Sequence, residues 1–267
     1  MLMVVAFSLG ASVGSLLNLA ADRLPQSISM LRPRSFCDSC GHALAILDLI
    51  PIISYLWLRG HCRHCSSRIP VRVILVEAIN GVLFTISYLR NGLGIEFVAI
   101  GVIVSLMLVV AIIDLEHKLI LNRVIYPAIL VLIFLAPFWT GLGFPRPFLG
   151  SAGMLASMAN TLVAGVGAYF VFFVIALLFP RGMGGGDVKL AGTVGLLVGF
   201  PGVVVSLWIA VVFSGLSAIG LLLTGRKRRK DTIPFGPFMA TAVILTVLAG
   251  GEIIGRYQTF VAGLASE

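Results

Sequence analysis

Two aspartates in this chain stand where a carboxylate is costly. Asp187 follows a glycine run in Met183-Gly184-Gly185-Gly186-Asp187-Val188-Lys189, at the mouth of an apolar segment, and Asp114 ends the apolar run Ile95 to Ile113. A charged side chain at the centre of a membrane helix costs roughly 2.5–3.5 kcal/mol on insertion scales, so a carboxylate kept there usually has a function. Two carboxyl groups that share one proton can hydrolyse a peptide: one deprotonates water while the other donates to the carbonyl. Partial desolvation at a membrane boundary would let the pair hold that shared proton near neutral pH. Glu116 lies two residues from Asp114 and faces another side of a helix, so it cannot complete such a pair. Between Glu116 and Asp231 the only carboxylate is Asp187, and elimination selects Asp114 and Asp187 as the catalytic candidates. The glycines would let the Asp187 loop approach an extended backbone, while Lys189 reads as a snorkelling interfacial lysine. Two polar anchors at helix ends, or part of an ion or proton pathway, remain open readings of the same residues.

The cysteines form a second constellation. Cys37-x2-Cys40 and Cys62-x2-Cys65 are separated by 21 residues, a little beyond the usual zinc-ribbon spacing. Each pair supplies two thiolates on one tight turn, and two such knuckles close a tetrahedron with no open position, so a Zn2+ held there would be structural. Metal binding would also supply folding energy to a segment of about fifty residues with a poor core. Disulfides, a redox pair or an iron–sulfur cluster are the competing uses of these residues. His64 lies inside the second knuckle and His42 and His61 flank the pairs, where each could replace a cysteine as ligand.

The elements that must position these groups are membrane helices. Charged residues make up 11% of the chain and apolar ones 59%, against about 25% charged in soluble domains, and the mean hydropathy is +1.08. Apolar stretches long enough to span, or nearly so, run over 2–21, 73–89, 95–113, 124–142, 158–179, 188–202, 203–224 and 237–254. The expectation is therefore an all-α polytopic membrane protein of about eight transmembrane helices with a small cytoplasmic zinc-binding insertion. The stretch 188–202 is the shortest and meets the next at Phe200-Pro201-Gly202, so a re-entrant hairpin competes with a full span there. The first stretch lacks a basic region before it and a convincing cleavage site, and it reads as a retained helix.

Loop charge orients the helices. With the N-terminus outside, 16 of the 19 Lys and Arg residues fall on the inner side, leaving Arg90, Arg146 and Arg256 outside. This places both aspartates at the inner face and the cysteines in a reducing cytoplasm, which disfavours disulfides. It also explains the net charge of +8 without nucleic acid, with Arg226 to Lys230 as an inner anchor touching membrane lipid. The expected domains are a first transmembrane helix over 1–21, the four-cysteine zinc-binding domain over 22–72 and a transmembrane core over 73–267. Gly10-x3-Gly14 and Gly195-x3-Gly199 read as close-packed helix faces.

Beyond these separate features, a series of motifs in order resembles one family. They are Gly10-x3-Gly14-Ser15-x2-Asn18 followed by Arg23-Leu24-Pro25, both knuckles, Asp48-Leu49-Ile50-Pro51 with Ser54-Tyr55, and Leu58-Arg59-Gly60-His61-Cys62-Arg63-x-Cys65. Asp114, Gly184-Gly185-Gly186-Asp187-Val188-Lys189 and Ile233-Pro234-Phe235-Gly236-Pro237 continue the series. On these residues the chain resembles the type IV prepilin leader peptidases, bacterial GxGD-type membrane aspartyl proteases. It departs at Ile120-Leu121-Asn122, where the family usually has proline in place of Leu121, but it keeps Asp114.

The resemblance implies that Asp114 and Asp187 cleave a short basic leader from prepilins or pseudopilins. Cleavage would follow a glycine at the cytoplasmic face of the bacterial inner membrane. It also implies N-methylation of the new terminus with S-adenosylmethionine, although a peptidase without that second activity would show the same aspartates. No Gly-x-Gly-x2-Gly turn marks a nucleotide site. Glu77, at the start of the second span behind Arg68-x-Pro70-x-Arg72, is the candidate for the methyltransferase site, with an interfacial salt bridge as its alternative role. A transporter would carry its carboxylates near the midplane rather than at one face, and a non-enzymatic assembly anchor would tolerate asparagine at both positions. Oligomeric state is not legible.

Overall fold

A computed structural model describes residues 1–32, 34–179, 182–225 and 233–249. The basic run Arg226 to Lys230, with Arg181 and Arg256, lies outside the described residues. The regular structure is helical: α1 (Leu2–Arg23), α2 (Ile53–Trp57), α3 (Val71–Asn91), α4 (Ile95–His117), α5 (Asn122–Leu135), α6 (Met154–Leu178), α7 (Gly185–Val198), α8 (Gly202–Leu223) and α9 (Gly236–Ala249). Among the described residues there is no strand, only three isolated bridges.

Among the described residues six helices are long and apolar enough to cross a membrane: α1, α3, α4, α6, α8, and α5 taken together with the 3-10 helix Ala136–Leu142 that continues it. That continuation tightens from Ala136, which keeps right-handed helical backbone, and Pro137 brings no amide hydrogen to an α ladder. Two of the eight expected spans are shorter helices. α7 has 14 residues, about 21 Å of helix against a hydrocarbon core of about 30 Å. The described part of the last stretch is α9.

The chain divides into two compact units, Met1–Ile113 and Asp114–Glu267. In the first, α1 packs along α3. A β-carbon at Gly14 would stand 2.8 Å from the Glu77 Cα, so only glycine allows this approach. Buried amides lock the pair: Asn80 donates to the Gly10 carbonyl at 2.7 Å and Asn18 to the Val73 carbonyl at 3.0 Å. Between the two helices the chain forms a 3-10 turn, Ile46–Leu49, then α2 and the two knuckles.

In the second unit α7 is the inner element, packed against α5, α6 and α8. From Val188 to Leu197 every residue except Lys189 is buried, so protein surrounds a helix too short to span alone. Its C-terminal carbonyls are received by Arg146, which is 4% exposed. The guanidinium donates to the Leu196 carbonyl at 2.9 Å, to the Leu197 carbonyl and to the Thr161 hydroxyl at 2.7 Å, and its Cζ stacks 4.1 Å from the Trp139 ring centre. Burial lowers Arg146 to about 9, which leaves it cationic at neutral pH and complementary to the negative end of the α7 dipole.

Candidate active site

Asp114 sits in the last turn of α4, which closes with Lys118 in the left-handed region at φ 53°. The carboxylate is buried at 5% exposure, and its Oδ2 accepts the Gly236 amide at 3.0 Å. That amide belongs to the first residue of α9, where helix geometry leaves backbone N–H groups without an internal partner. Glu116 is exposed, as its position two residues along the helix requires.

Asp187 is half-buried in the first turn of α7 and accepts the Gly184 amide at 3.3 Å, capping its own helix. The glycine run supplies less loop than the sequence suggests: Gly184 is extended, and Gly185 and Gly186 already belong to α7. Asp187 thus projects from a helix end rather than a free loop. It feels the charge of Asp114, so the two carboxylates selected by elimination occupy one electrostatic neighbourhood. A cavity of about 250 Å³ opens beside Asp187, with Met183, Phe235 and Phe238 among its apolar walls and Ser214, Gly215 and Ala218 of α8 opposite. Lys189 is not free at the interface: its ammonium donates to Asn122 at 3.0 Å and lies 5.2 Å from the Tyr126 ring centre.

The first unit gathers the thiols. The four Sγ atoms of Cys37, Cys40, Cys62 and Cys65 all lie within 4.8 Å of one another, and those of Cys37 and Cys65 are 3.8 Å apart. A tetrahedron with zinc–sulfur bonds of about 2.3 Å has edges of about 3.8 Å, so the donor set fits that ion. The two knuckles share one backbone hydrogen-bond pattern: the Cys37 amide donates to the His42 carbonyl and the Cys62 amide to that of Ser67, while the Gly41 and Ser66 amides return to the carbonyl of the first cysteine in each pair. His42 and His64 lie against each other, tilted by 37° with ring centres 3.7 Å apart, rather than joining the thiols. The Ser67 hydroxyl lowers the Cys37 thiol to about 6, which favours the thiolate a metal needs. Metal analysis of the purified protein is expected to find about one zinc per chain, and Cys62→Ser should lose most of it along with thermal stability.

Asp48 braces the knuckles. Arg63, between the two cysteines of the second, donates to the Asp48 carboxylate at 3.0 and 2.7 Å. Burial, the largest single influence, would raise Asp48, but the Arg63 hydrogen bonds, the Ala45 amide and the nearby positive charge together outweigh it and hold the carboxyl below its ordinary value. A depressed folded value stabilises above the unfolded value of about 3.9 and loses that stabilisation as pH falls through the folded one. Asp48→Asn should therefore melt slightly below the native protein near pH 7, and the gap should close below about pH 4. A gap unchanged by acid would sink this account.

Glu77, the sequence candidate for a second activity, is 4% exposed in α3. Its Oε2 accepts the Ile52 amide at 2.7 Å, and among the described residues no cation pairs with it.

Helices long and apolar enough to cross a membrane, six of them among the described residues, define a multi-pass membrane protein, and its second unit carries both candidate carboxylates. Residues 8–91 match the bacterial Peptidase A24 N-terminal domain and residues 101–219 the type IV leader peptidase family. A prepilin leader peptidase/N-methyltransferase of Bacillus subtilis (strain 168) is 32% identical over 262 residues, covering 97% of this chain and 99% of its own length. One of Myxococcus xanthus (strain DK1622) is 35% identical over 225 residues, 84% of this chain and 64% of that protein, and one of Aeromonas hydrophila is 28% identical over 236 residues, 86% and 77%. The chain belongs to the type IV leader peptidase family. No solved structure matches it.

Proposed function

We propose that this protein is an aspartyl endopeptidase that removes the short basic leader of type IV prepilins or pseudopilins, cleaving after glycine, and then methylates the new N-terminus with S-adenosylmethionine. The observation that supports the first activity is that Asp114, held by the Gly236 amide, and Asp187, which feels its charge, lie within one unit. The aspartates share one proton, which belongs to the pair rather than to either residue. One carboxylate takes a proton from water as the water attacks the scissile carbonyl, and the other protonates that oxygen. When the tetrahedral intermediate collapses, the proton passes to the leaving amine. Gly236 keeps one Asp114 oxygen occupied and so fixes which oxygen faces the reaction. The cavity beside Asp187 receives the apolar start of the mature subunit.

The printed names of the relatives support the second activity, and Glu77 is its candidate residue. Cys37, Cys40, Cys62 and Cys65 hold a structural Zn2+ in the 22–72 domain, and 73–267 forms the protease core after the first helix, 1–21. In this reading α7 and α9 complete eight spans, the N-terminus lies outside, and the aspartates act at the cytoplasmic face of the bacterial inner membrane. The partners are prepilin-like substrates and membrane lipid, with no nucleic acid.

Co-expression with a prepilin, read by mass spectrometry of the substrate N-terminus, tests both activities. Leader loss with one added methyl group is expected. An intact leader beside well-accumulated native protein would overturn the peptidase reading, and a cleaved but unmethylated product would leave a peptidase alone.

A further inference from the structure

The first unit contains a two-lobed cleft lined by neither Asp114 nor Asp187. One lobe, about 270 Å³, is bounded by Ser54, Tyr55, Arg63, Arg72 and Glu77. The other, about 420 Å³, runs beside α1 as far as Gln26. Ser15, Asp22, Phe36, Asp38, Leu44 and Leu49 wall both, so the lobes are continuous. Together they reach the size of sites that enclose a small organic molecule, about 300–1,000 Å³.

The charges in this cleft are unevenly satisfied. Asp22 is paired with Arg72 and Asp48 with Arg63, each at 2.7 Å. Glu77, the most buried carboxylate on the cleft, has only the neutral Ile52 amide and the Ser15 hydroxyl as partners among the described residues. Removing a carboxylate from water without a cation is expensive, and a cationic ligand would offset that cost.

The Ile52 amide is itself held at a cost. Ile52 has φ 63° and ψ −51°, a rare region for a β-branched residue, and the Ile53 amide closes the three-residue turn on the Pro51 carbonyl at 2.6 Å. Strained backbone of this kind collects at ligand sites, where the surroundings over-determine it.

We propose that this cleft seats the methyl donor, with Glu77 facing the positive sulfonium of S-adenosylmethionine and Phe36 beside the adenine. The assignment rests on the methylation reading above. In the transfer the amine lone pair would form the N–CH3 bond as the S–CH3 bond breaks with its electrons staying on sulfur, the methylated amine would release a proton to solvent, and the neutral thioether product would lose its attraction to Glu77. The cleft therefore distinguishes fresh donor from spent product by charge.

The test is equilibrium binding of S-adenosylmethionine and of its neutral product, S-adenosylhomocysteine, to the purified full-length protein. Native protein should prefer the cation by about tenfold. Glu77→Gln keeps an oxygen for the Ile52 amide and should bring the ratio close to one. Ser54→Trp, which fills the cleft, should lose both ligands, and zinc content checks that each variant is folded. A charge preference that survives Glu77→Gln, or binding that survives Ser54→Trp, would overturn the assignment while leaving methylation standing. Native protein that binds neither compound and yields an unmethylated product would remove the methylation reading itself.

Discussion

Asp114→Asn and Asp187→Asn should each lower leader removal by about a thousandfold or more, and the double variant should be no slower than the worse single one. Asparagine preserves the shape of both sites. At position 114 its oxygen can still accept the Gly236 amide, and at position 187 it can still cap α7 through Gly184. What is lost is the shared proton, because an amide neither deprotonates water nor hands a proton to a carbonyl. Initial rates on a prepilin substrate, normalised to protein in the membrane, give the comparison. Losses that multiply in the double variant would mean that the aspartates act independently, and a single variant with near-native cleavage would remove the dyad.

Gly236→Ala should cost about a hundredfold in cleavage while the protein still accumulates. A β-carbon there would lie 2.6 Å from the Asp114 Oδ2 and 3.1 Å from its Cγ, well inside contact distance. Either the carboxylate turns away or the start of α9 retreats, and both separate the Gly236 amide from the oxygen it orients. Misplacement of a catalytic group by about 1 Å is enough for a loss of this size. Gly167→Ala provides the control, since nothing lies within 4 Å of a β-carbon on that helical residue. The control should cleave like the native protein. A Gly236→Ala protein as active as the control would show that this amide does not order Asp114.

The two aspartates stand out in the sequence because carboxylates are scarce in apolar sequence, and scarcity lets elimination choose them as candidates. The cysteines were legible because Cys-x2-Cys spacing reflects the geometry of a turn. Gly236 appears in the motif series, but its part in the site was hidden: the group that works is a backbone amide 122 residues from Asp114, and amides leave no compositional trace. Arg146 was counted as an exterior loop cation, since charge alone does not say whether a guanidinium meets water or the end of a helix. Its place between apolar segments, after the aromatic Trp139 and Phe144, was the available signal. The helix count was limited in the same way. A hydropathy window registers the apolar character of α7 but not the enclosure by other helices that permits it to be short. The burial of Glu77 follows from its place within the apolar run of α3, whereas its tie to Ile52 depends on a turn that no residue pattern announces.

The Arg146 clamp also bears on how the protein is assembled. The loop that carries Arg146 precedes α7 in the chain, so ribosomal synthesis delivers the cap before the helix it will cap. At that stage Arg146 acts as an ordinary loop charge in choosing topology, with its later carbonyl partners not yet made. α7 then arrives too short to be held by the bilayer alone and finds a waiting cation and the packing face of α6. The α5 and α6 side of the surroundings of α7 thus precedes it in the chain, whereas α8, which also packs against it, follows.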